Sequence, residues 1–336
     1  MIALGPLLVF ACATRAPQPP AAASVPSSGA ELAVSGPVEA RVSTAQAELV
    51  LFYAGEHRGS LETCGCPTRP RGSITRMDSY LQASRAANPG QGDLLLHGGY
   101  WLEDPSGFDG LTRPDVPVMN RWMVSALEAV GLSAANVGVH DLPGLLSLDK
   151  VPDWAVSANI VTAPGAAGPK RWVILERDGL RVGVTGITSQ GFTLTLSPDH
   201  QVLYPQEPAV EALRELAPQV DVLVLLSYQA TDVARQVALA VPELDVVIDT
   251  NMHQAFYAPE RVGEALWVRS HNQTMRLGEL RLTAEDGGGV ELVVDRKIDL
   301  DPEIPDSPRL AALVTQARDE IEAAQKLAFG GEAAPE

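Results

Sequence analysis

Nitrogen and sulfur donors are scarce in this sequence: six histidines and three cysteines in 336 residues. His57, His97, His140 and His253 each stand just after an apolar, β-prone run, where a strand would end. Imidazoles at such places can ligate a metal ion or move a proton near neutral pH. His271 reads as structural and His200 as a surface loop residue. Cys64 and Cys66 form a Cys-x-Cys pair around Gly65. In an oxidising compartment this spacing allows a small strained disulfide, a redox couple or a metal clip, and Gly65 permits the backbone bend. Free thiols are the remaining reading. No Cys-x-x-Cys-His run is present, so covalent haem attachment has no support.

These groups need a frame. From residue 47 apolar runs alternate with amphipathic ones, predicting strands at 48–53, 93–97, 134–137, 154–158, 172–176, 181–187, 221–226 and 245–248. Helices are predicted over 73–86, 116–130, 208–216, 232–240 and 308–327. Asp178-Gly179 is a hairpin signal. Strands without polar alternation, separated by helices, require a sheet covered on both faces. Late strands at 266–269, 275–282 and 290–294, read as antiparallel, suggest a second sheet packed on the first. The expectation is a layered α/β fold with one main domain. In such folds, chemistry sits at the carboxyl ends of strands. The loops there are Gly55-Glu56-His57, Gly98-Gly99-Tyr100, Gly138-Val139-His140-Asp141, Ser227-Tyr228 and Asp249-Thr250-Asn251-Met252-His253.

The order of these loops, together with Val156-Ser157-Ala158-Asn159-Ile160, resembles the calcineurin-like metallophosphoesterases, and among them the periplasmic 5′-nucleotidase branch. The likeness runs over roughly residues 47–300. Leu61-Glu62-Thr63-Cys64-Gly65-Cys66-Pro67 resembles a bacterial subgroup with Cys-Gly-Cys after its first loop. The resemblance implies an α/β/β/α sandwich and two metal ions, held by Asp-x-His, Gly-Asp, Gly-Asn-His, a further His and Gly-His-x-His. In that arrangement a shared carboxylate bridges two cations about 3.5–4 Å apart, which activate water and clamp the phosphoryl group. Placed on this pattern, Gly55 stands at the first Asp and Tyr100 at the bridging Asp. Val139 stands at the Asn, Tyr228 at the fourth-loop His and Asn251 at the first His of the last loop. His57 and His253 remain as candidate ligands, and His140 matches the family's catalytic histidine.

The resemblance with these departures implies a two-metal site largely lost and no cofactor. The expected role is a non-catalytic binding or assembly protein for an unidentified protein or small-molecule ligand. One alternative is a hydrolase with a reduced site, a single divalent ion such as zinc on His57, His140 and His253, with His97 an extra candidate. Another is a redox or metal-handling protein built on Cys64 and Cys66. Tyr100, Trp101 and Tyr228 are expected in or beside the old cleft. His140, without metals, is expected to hydrogen-bond Asp141 or a neighbour.

The N-terminus reads as an address. Residues 1–12 end in Leu8-Val9-Phe10-Ala11-Cys12, which resembles a lipoprotein signal with Cys12 as the lipidated residue. Residues 13–43, rich in Ala, Pro and Ser, read as a flexible tether. The phosphoesterase-like domain is expected over 44–303, and a C-terminal helix and tail over 304–336. Together these predict a periplasmic or cell-envelope protein, held to the membrane by its lipid. With 25 basic and 42 acidic residues the net charge is −17, which repels phosphate backbones and argues against a nucleic-acid partner.

Overall fold

The structure, a computed structural model, describes residues 23–24, 31–34, 36–106, 113–191, 198–229, 231–250, 258–270, 272–285 and 288–328. The strand Leu49–Ala54 shows why the fold has four layers: it is buried at every position. Leu49, Leu51 and Tyr53 turn into an apolar core between two sheets, beside Val184, Val224 and Ile248. Val50, Phe52 and Ala54 belong to a second core, with residues of the helices Ile74–Ala87 and Asp115–Val130. Burying both faces removes the polar alternation of a half-exposed strand, and each enclosed Leu or Val contributes roughly 1.5–3 kcal/mol.

The first sheet runs in the order Glu31–Val34, Val290–Asp299, Arg276–Ala284, Leu49–Ala54, Asp93–His97, Leu132–Asn136, Ala155–Val156. Its last four strands are parallel. The second sheet runs Ala23–Ser24, Glu260–Val262, Ala265–Arg269, Val246–Asp249, Val222–Tyr228, Leu180–Thr188, Trp172–Arg177, with four parallel strands in its middle. Helices Gln206–Leu216 and Thr231–Ala240 cover its outer face. The architecture is the expected α/β/β/α sandwich.

Several details differ from the sequence reading. The late strands do not form a sheet of their own. Ala265–Arg269 pairs in parallel with Val246–Asp249, whereas Arg276–Ala284 pairs antiparallel with Leu49–Ala54. The chain changes sheets between them, through a short turn in which Gln273 and Thr274 are left-handed (φ 51° and 44°). The 13–43 tether is folded at its end. Glu31–Val34 pairs with Val290–Asp299, and the turn of helix Val38–Arg41 carries a fully buried arginine. The Arg41 guanidinium donates to Asp301 at 2.6 Å, which docks this segment on the domain. His200 is buried in the strand His200–Val202, where its Nε2 meets the Ala167 carbonyl at 2.7 Å. The C-terminal helix Pro308–Ala328 closes the first helical layer: Leu310, Val314 and Ala317 enter its core, and Trp122 donates to Glu320 at 3.0 Å. Among the described residues no helix is long and apolar enough to cross a membrane.

Candidate functional site at the strand ends

Parallel pairing fixes which residues meet. Ala54 lies opposite His97, so the loops after these two strands leave the sheet side by side. Residues 56–59 then run along 99–101: Glu56, Arg58 and Gly59 donate their N–H groups to the carbonyls of Gly99, Tyr100 and Trp101, each at 3.0 Å. Glu56, Arg58 and Tyr100 all take left-handed φ values (56°, 53° and 59°). Each such turn costs on the order of 1–3 kcal/mol in a residue with a side chain, so something must hold it. Asp141 holds the Tyr100 turn. Its carboxylate, fully buried, accepts the N–H groups of Tyr100, Leu102 and Gly138, each at 2.7 Å. Burial pushes this carboxyl up to about 7, against the pull of those donors.

The second sheet presses close from the other side. Asn136 donates to the carbonyls of Gly98 (3.0 Å) and Ile187 (2.8 Å), and the Val139 N–H reaches the Thr188 hydroxyl at 2.7 Å. Asn159, from the Ser-Ala-Asn segment, bonds Thr188 and Leu203 and so is a structural tie. The side chains of Thr250 and Ser270 crowd two glycines. A Cβ on Gly98 would sit 1.7 Å from the Thr250 hydroxyl. One on Gly55 would sit 2.5 Å from both Thr250 Cγ2 and Ser270 Oγ.

The titratable groups of the cleft are engaged with one another. His57 Nδ1 lies 2.8 Å from His97 Nε2, and His97 Nδ1 accepts the Gly99 N–H at 3.1 Å. That second bond fixes the tautomers: His97 must carry its proton on Nε2 and donate it to His57 Nδ1, which leaves the His57 proton on Nε2. This Nε2 is buried and has no hydrogen-bond partner among the described residues. Burial drives His57 down to about 3 and His97 well below the ordinary imidazole range, so both rings are neutral. Glu56, buried, takes the Arg58 guanidinium at 2.8 Å, and the same guanidinium lies 5.0 Å from the centre of the Tyr100 ring. Tyr100 stacks on His140 (4.7 Å between centres, 27° between planes) and meets Tyr228 edge-on at 6.0 Å. Burial raises both phenols, Tyr100 to about 12.

The structure thus brings Gly55, His57, Tyr100, Val139, His140 and Tyr228 to one strand-end edge. Asn251 and His253 lie outside the described residues, as do Cys12 and His271. His140 does not bond Asp141, whose oxygens face the backbone; it stacks on Tyr100 and is exposed. Trp101 is fully buried against Trp154 and donates to the Asn136 carbonyl, so it supports the cleft from behind. Sequence reasoning placed Glu56 and Asp141 in the strand-end loops, Asp141 as a partner for His140, but missed their roles, and it missed Arg58 and Asn136; a polar residue at the very end of a buried strand was the available signal for Asn136. Among the described residues no group of three or more His, Cys, Asp or Glu side chains is placed to hold a metal ion.

Just beyond the first loop lies the cysteine pair. Thr63 and Gly72 form a bridge that closes a hairpin, and inside it Cys64 and Arg71 exchange an N–H···O bond of 2.8 Å and an N–H···S contact of 3.2 Å. Cys64 and Cys66 are not joined to each other in this structure.

Solved structures share this fold. NAD nucleotidase (NadN) of Haemophilus influenzae superposes with a TM-score of 0.67 at 15% identity, over 82% of this chain and 60% of its own. A 5′-nucleotidase precursor from Thermus thermophilus gives 0.64 at 19% identity, over 82% and 59%. The sulfate thiohydrolase SoxB of Thermus thermophilus gives 0.65 at 15%, over 84% and 62%. The chain therefore has the metallophosphoesterase-like fold and spans about three fifths of the length of these proteins. The sequence matches no protein-family model and no curated protein.

Proposed function

We propose that this chain is an extracytoplasmic protein, lipid-anchored at Cys12, whose metallophosphoesterase-like cleft serves binding or assembly instead of two-metal hydrolysis. The observation that carries this reading is the crowding at Gly55. The fold family places a metal-binding carboxylate there, yet Thr250 and Ser270 fill the direction a side chain would take. The neighbouring positions offer little in its place. Tyr100, at the bridging position, is a phenol that burial keeps protonated, with its ring stacked on His140. His57 presents an N–H at Nε2, where a metal ligand needs a lone pair, because its Nδ1 is committed to His97. Two dications need anionic ligands, and Gly55, Tyr100, Val139 and Tyr228 supply none. The residues present do not fit such a centre. A partly exposed aromatic patch of Tyr100 and His140, beside the Glu56-paired Arg58 and backed by buried Tyr228, fits recognition of an organic ligand or a partner's side chains.

Metal content and turnover test the reading together. Protein purified from zinc- and manganese-supplemented medium is expected to hold well under one ion per chain. It should hydrolyse neither 5′-AMP nor bis(p-nitrophenyl) phosphate above the buffer rate. Two ions per chain with turnover, or one zinc whose removal abolishes turnover, would sink it. The anchor is tested apart: Cys12→Ser should move the protein from the membrane to the soluble fraction, and retention in the membrane counts against lipidation.

A further inference from the structure

The cysteine hairpin plays no part in the cleft, yet its two sulfurs are placed unequally. Cys64 is half-buried and fixed on both sides: its N–H donates to the Arg71 carbonyl at 2.8 Å, and its sulfur accepts the Arg71 N–H at 3.2 Å. Cys66 is exposed at the turn, its N–H on the Cys64 carbonyl at 2.8 Å and its sulfur 3.5 Å from the Thr68 hydroxyl. The base of the hairpin is anchored. Arg69 donates to Asp301 at 2.8 Å, Arg71 pairs with Asp299 at 3.4 Å, and the Gly72 N–H bonds the Leu300 carbonyl at 2.8 Å. No atom of the described residues lies within 4 Å of where a Gly65 Cβ would stand, so the turn has space to readjust.

We propose that Cys64 and Cys66 are a thiol–disulfide exchange pair acting on an exposed disulfide, with Cys66 as the attacking sulfur and Cys64 as the resolving one. The hydroxyl of Thr68, then the N–H groups of Arg69 and Thr68, stabilise the Cys66 thiolate and lower its pKa, and the Arg71 charge adds to this. The Cys66 thiolate attacks one sulfur of the substrate disulfide. Its S–S bond breaks, the pair of electrons leaves on the second sulfur, and water protonates that thiolate. Cys64, as thiolate, then attacks Cys66 Sγ in the mixed disulfide and releases the first substrate sulfur. The substrate disulfide gains two electrons and becomes a dithiol; the cysteine pair loses two and becomes a disulfide. A ring closed across one residue is strained, and a strained disulfide is the more oxidising one, so excess substrate disulfide drives the step as written and the reverse, oxidation of a substrate dithiol, is the favoured direction.

The test uses the full chain carrying Cys12→Ser, which leaves these two thiols alone. Oxidised glutathione and insulin are offered separately as disulfides, and products are read by intact mass and peptide mapping. A Cys64–Cys66 disulfide should form with release of substrate thiol. Faster reaction with glutathione marks a small-molecule substrate, and faster reaction with insulin a polypeptide. Cys64→Ser, whose hydroxyl can still accept the Arg71 N–H, should trap a mixed disulfide on Cys66. Cys66→Ser should slow the first step by at least about tenfold, since the remaining thiol is shielded and lacks the Thr68 donors. Unchanged melting temperatures in both variants keep the comparison fair. Failure of both disulfides to react, equal rates in the two variants, or an internal disulfide that reduced glutathione cannot open would each overturn the assignment. The outcome is independent of metal content and phosphoesterase turnover, so it stands or falls apart from the reading of the cleft.

Discussion

The strand-end cleft and the cysteine hairpin follow one another in the chain and treat reactive groups in opposite ways. In the cleft, most potential acids, bases and ligands are engaged with one another or with the backbone, His57 Nε2 being an exception. His57 is tied to His97, Glu56 to Arg58, and Asp141 to three backbone N–H groups. On the hairpin, the sulfurs meet backbone and hydroxyl donors and one of them faces solvent. Residue type alone does not make a site; what matters is whether a group's partners leave a lone pair or a proton for an incoming molecule. Many of the cleft's polar groups hold three left-handed turns and tie two sheets together, so they are committed within the fold.

That contrast breaks most visibly at Asp141. Asp141→Asn puts an amide N–H₂ among backbone donors that need an acceptor, and leaving them unpaired costs about 3 kcal/mol. Urea unfolding should show that loss, with little change in Cys66 reactivity toward oxidised glutathione. A loss below about 1 kcal/mol would mean the Tyr100 turn is held some other way. Gly55→Asp should cost about 2 kcal/mol, because the new side chain must displace Thr250 and Ser270. It should not raise manganese binding. A stable Gly55→Asp protein that binds manganese would show the old ligand position to be open.

Acid titration sharpens the comparison further. The His57 pKa is lowered to about 3 by burial, and His97 is lowered too. Below the ordinary imidazole value of about 6.5, the unfolded chain therefore takes up protons that the folded one refuses, and stability is lost as pH falls. Asp141, raised to about 7, and Asp249, raised to about 6, pull the other way: they bind protons in the fold first and favour it as pH falls from those values toward 4. His57→Gln removes one of the opposing slopes. Relative to wild type, it should lose less stability on acidification from pH 6.5, by up to about 1.4 kcal/mol per pH unit. Parallel stability curves for the two proteins would contradict a neutral, buried His57.

How far these features were legible differs by scale. The layered fold was written in the sequence because unalternated runs such as Leu94-Leu95-Leu96 and Val222-Leu223-Val224-Leu225-Leu226 admit only strands covered on both faces. The change of sheet was not. Strands ending at Arg269 and starting at Arg276 look like a hairpin by spacing, yet the chain crosses to the other sheet, with Gln273 and Thr274 left-handed in the connection. The short helix Asp141–Leu146 was hidden by Pro143 and Gly144, although proline is tolerated in a first turn. The positions of the cleft residues were readable from loop order, but their partners were not. That His57 meets His97 follows from Ala54 standing opposite His97, a register set by the whole sheet. Asp141 as a backbone clamp depends on Tyr100 adopting φ 59°, which no local pattern announces.

The smallest expected effect falls on the residue that the family resemblance makes most prominent. His140 matches a catalytic histidine, yet it is exposed, its neighbour Asp141 is engaged elsewhere, and its visible interactions are ring contacts with Tyr100 and Tyr228. Partial desolvation of the ring by its neighbours lowers its pKa, Asp104 raises it and Arg58 lowers it, so near neutral pH it is chiefly a neutral aromatic face. Aromatic pairs contribute about 0.5–1.5 kcal/mol beyond area, and an exposed pair belongs at the low end. His140→Ala should therefore change unfolding free energy by less than about 1 kcal/mol and leave any background phosphoesterase rate unmoved. If the cleft recognises a ligand through its aromatic surface, the same variant should weaken that binding while Cys66 chemistry continues unaltered. A large fall in a genuine hydrolytic rate would instead restore His140 as a catalytic residue and return the cleft to the enzymes whose fold it shares.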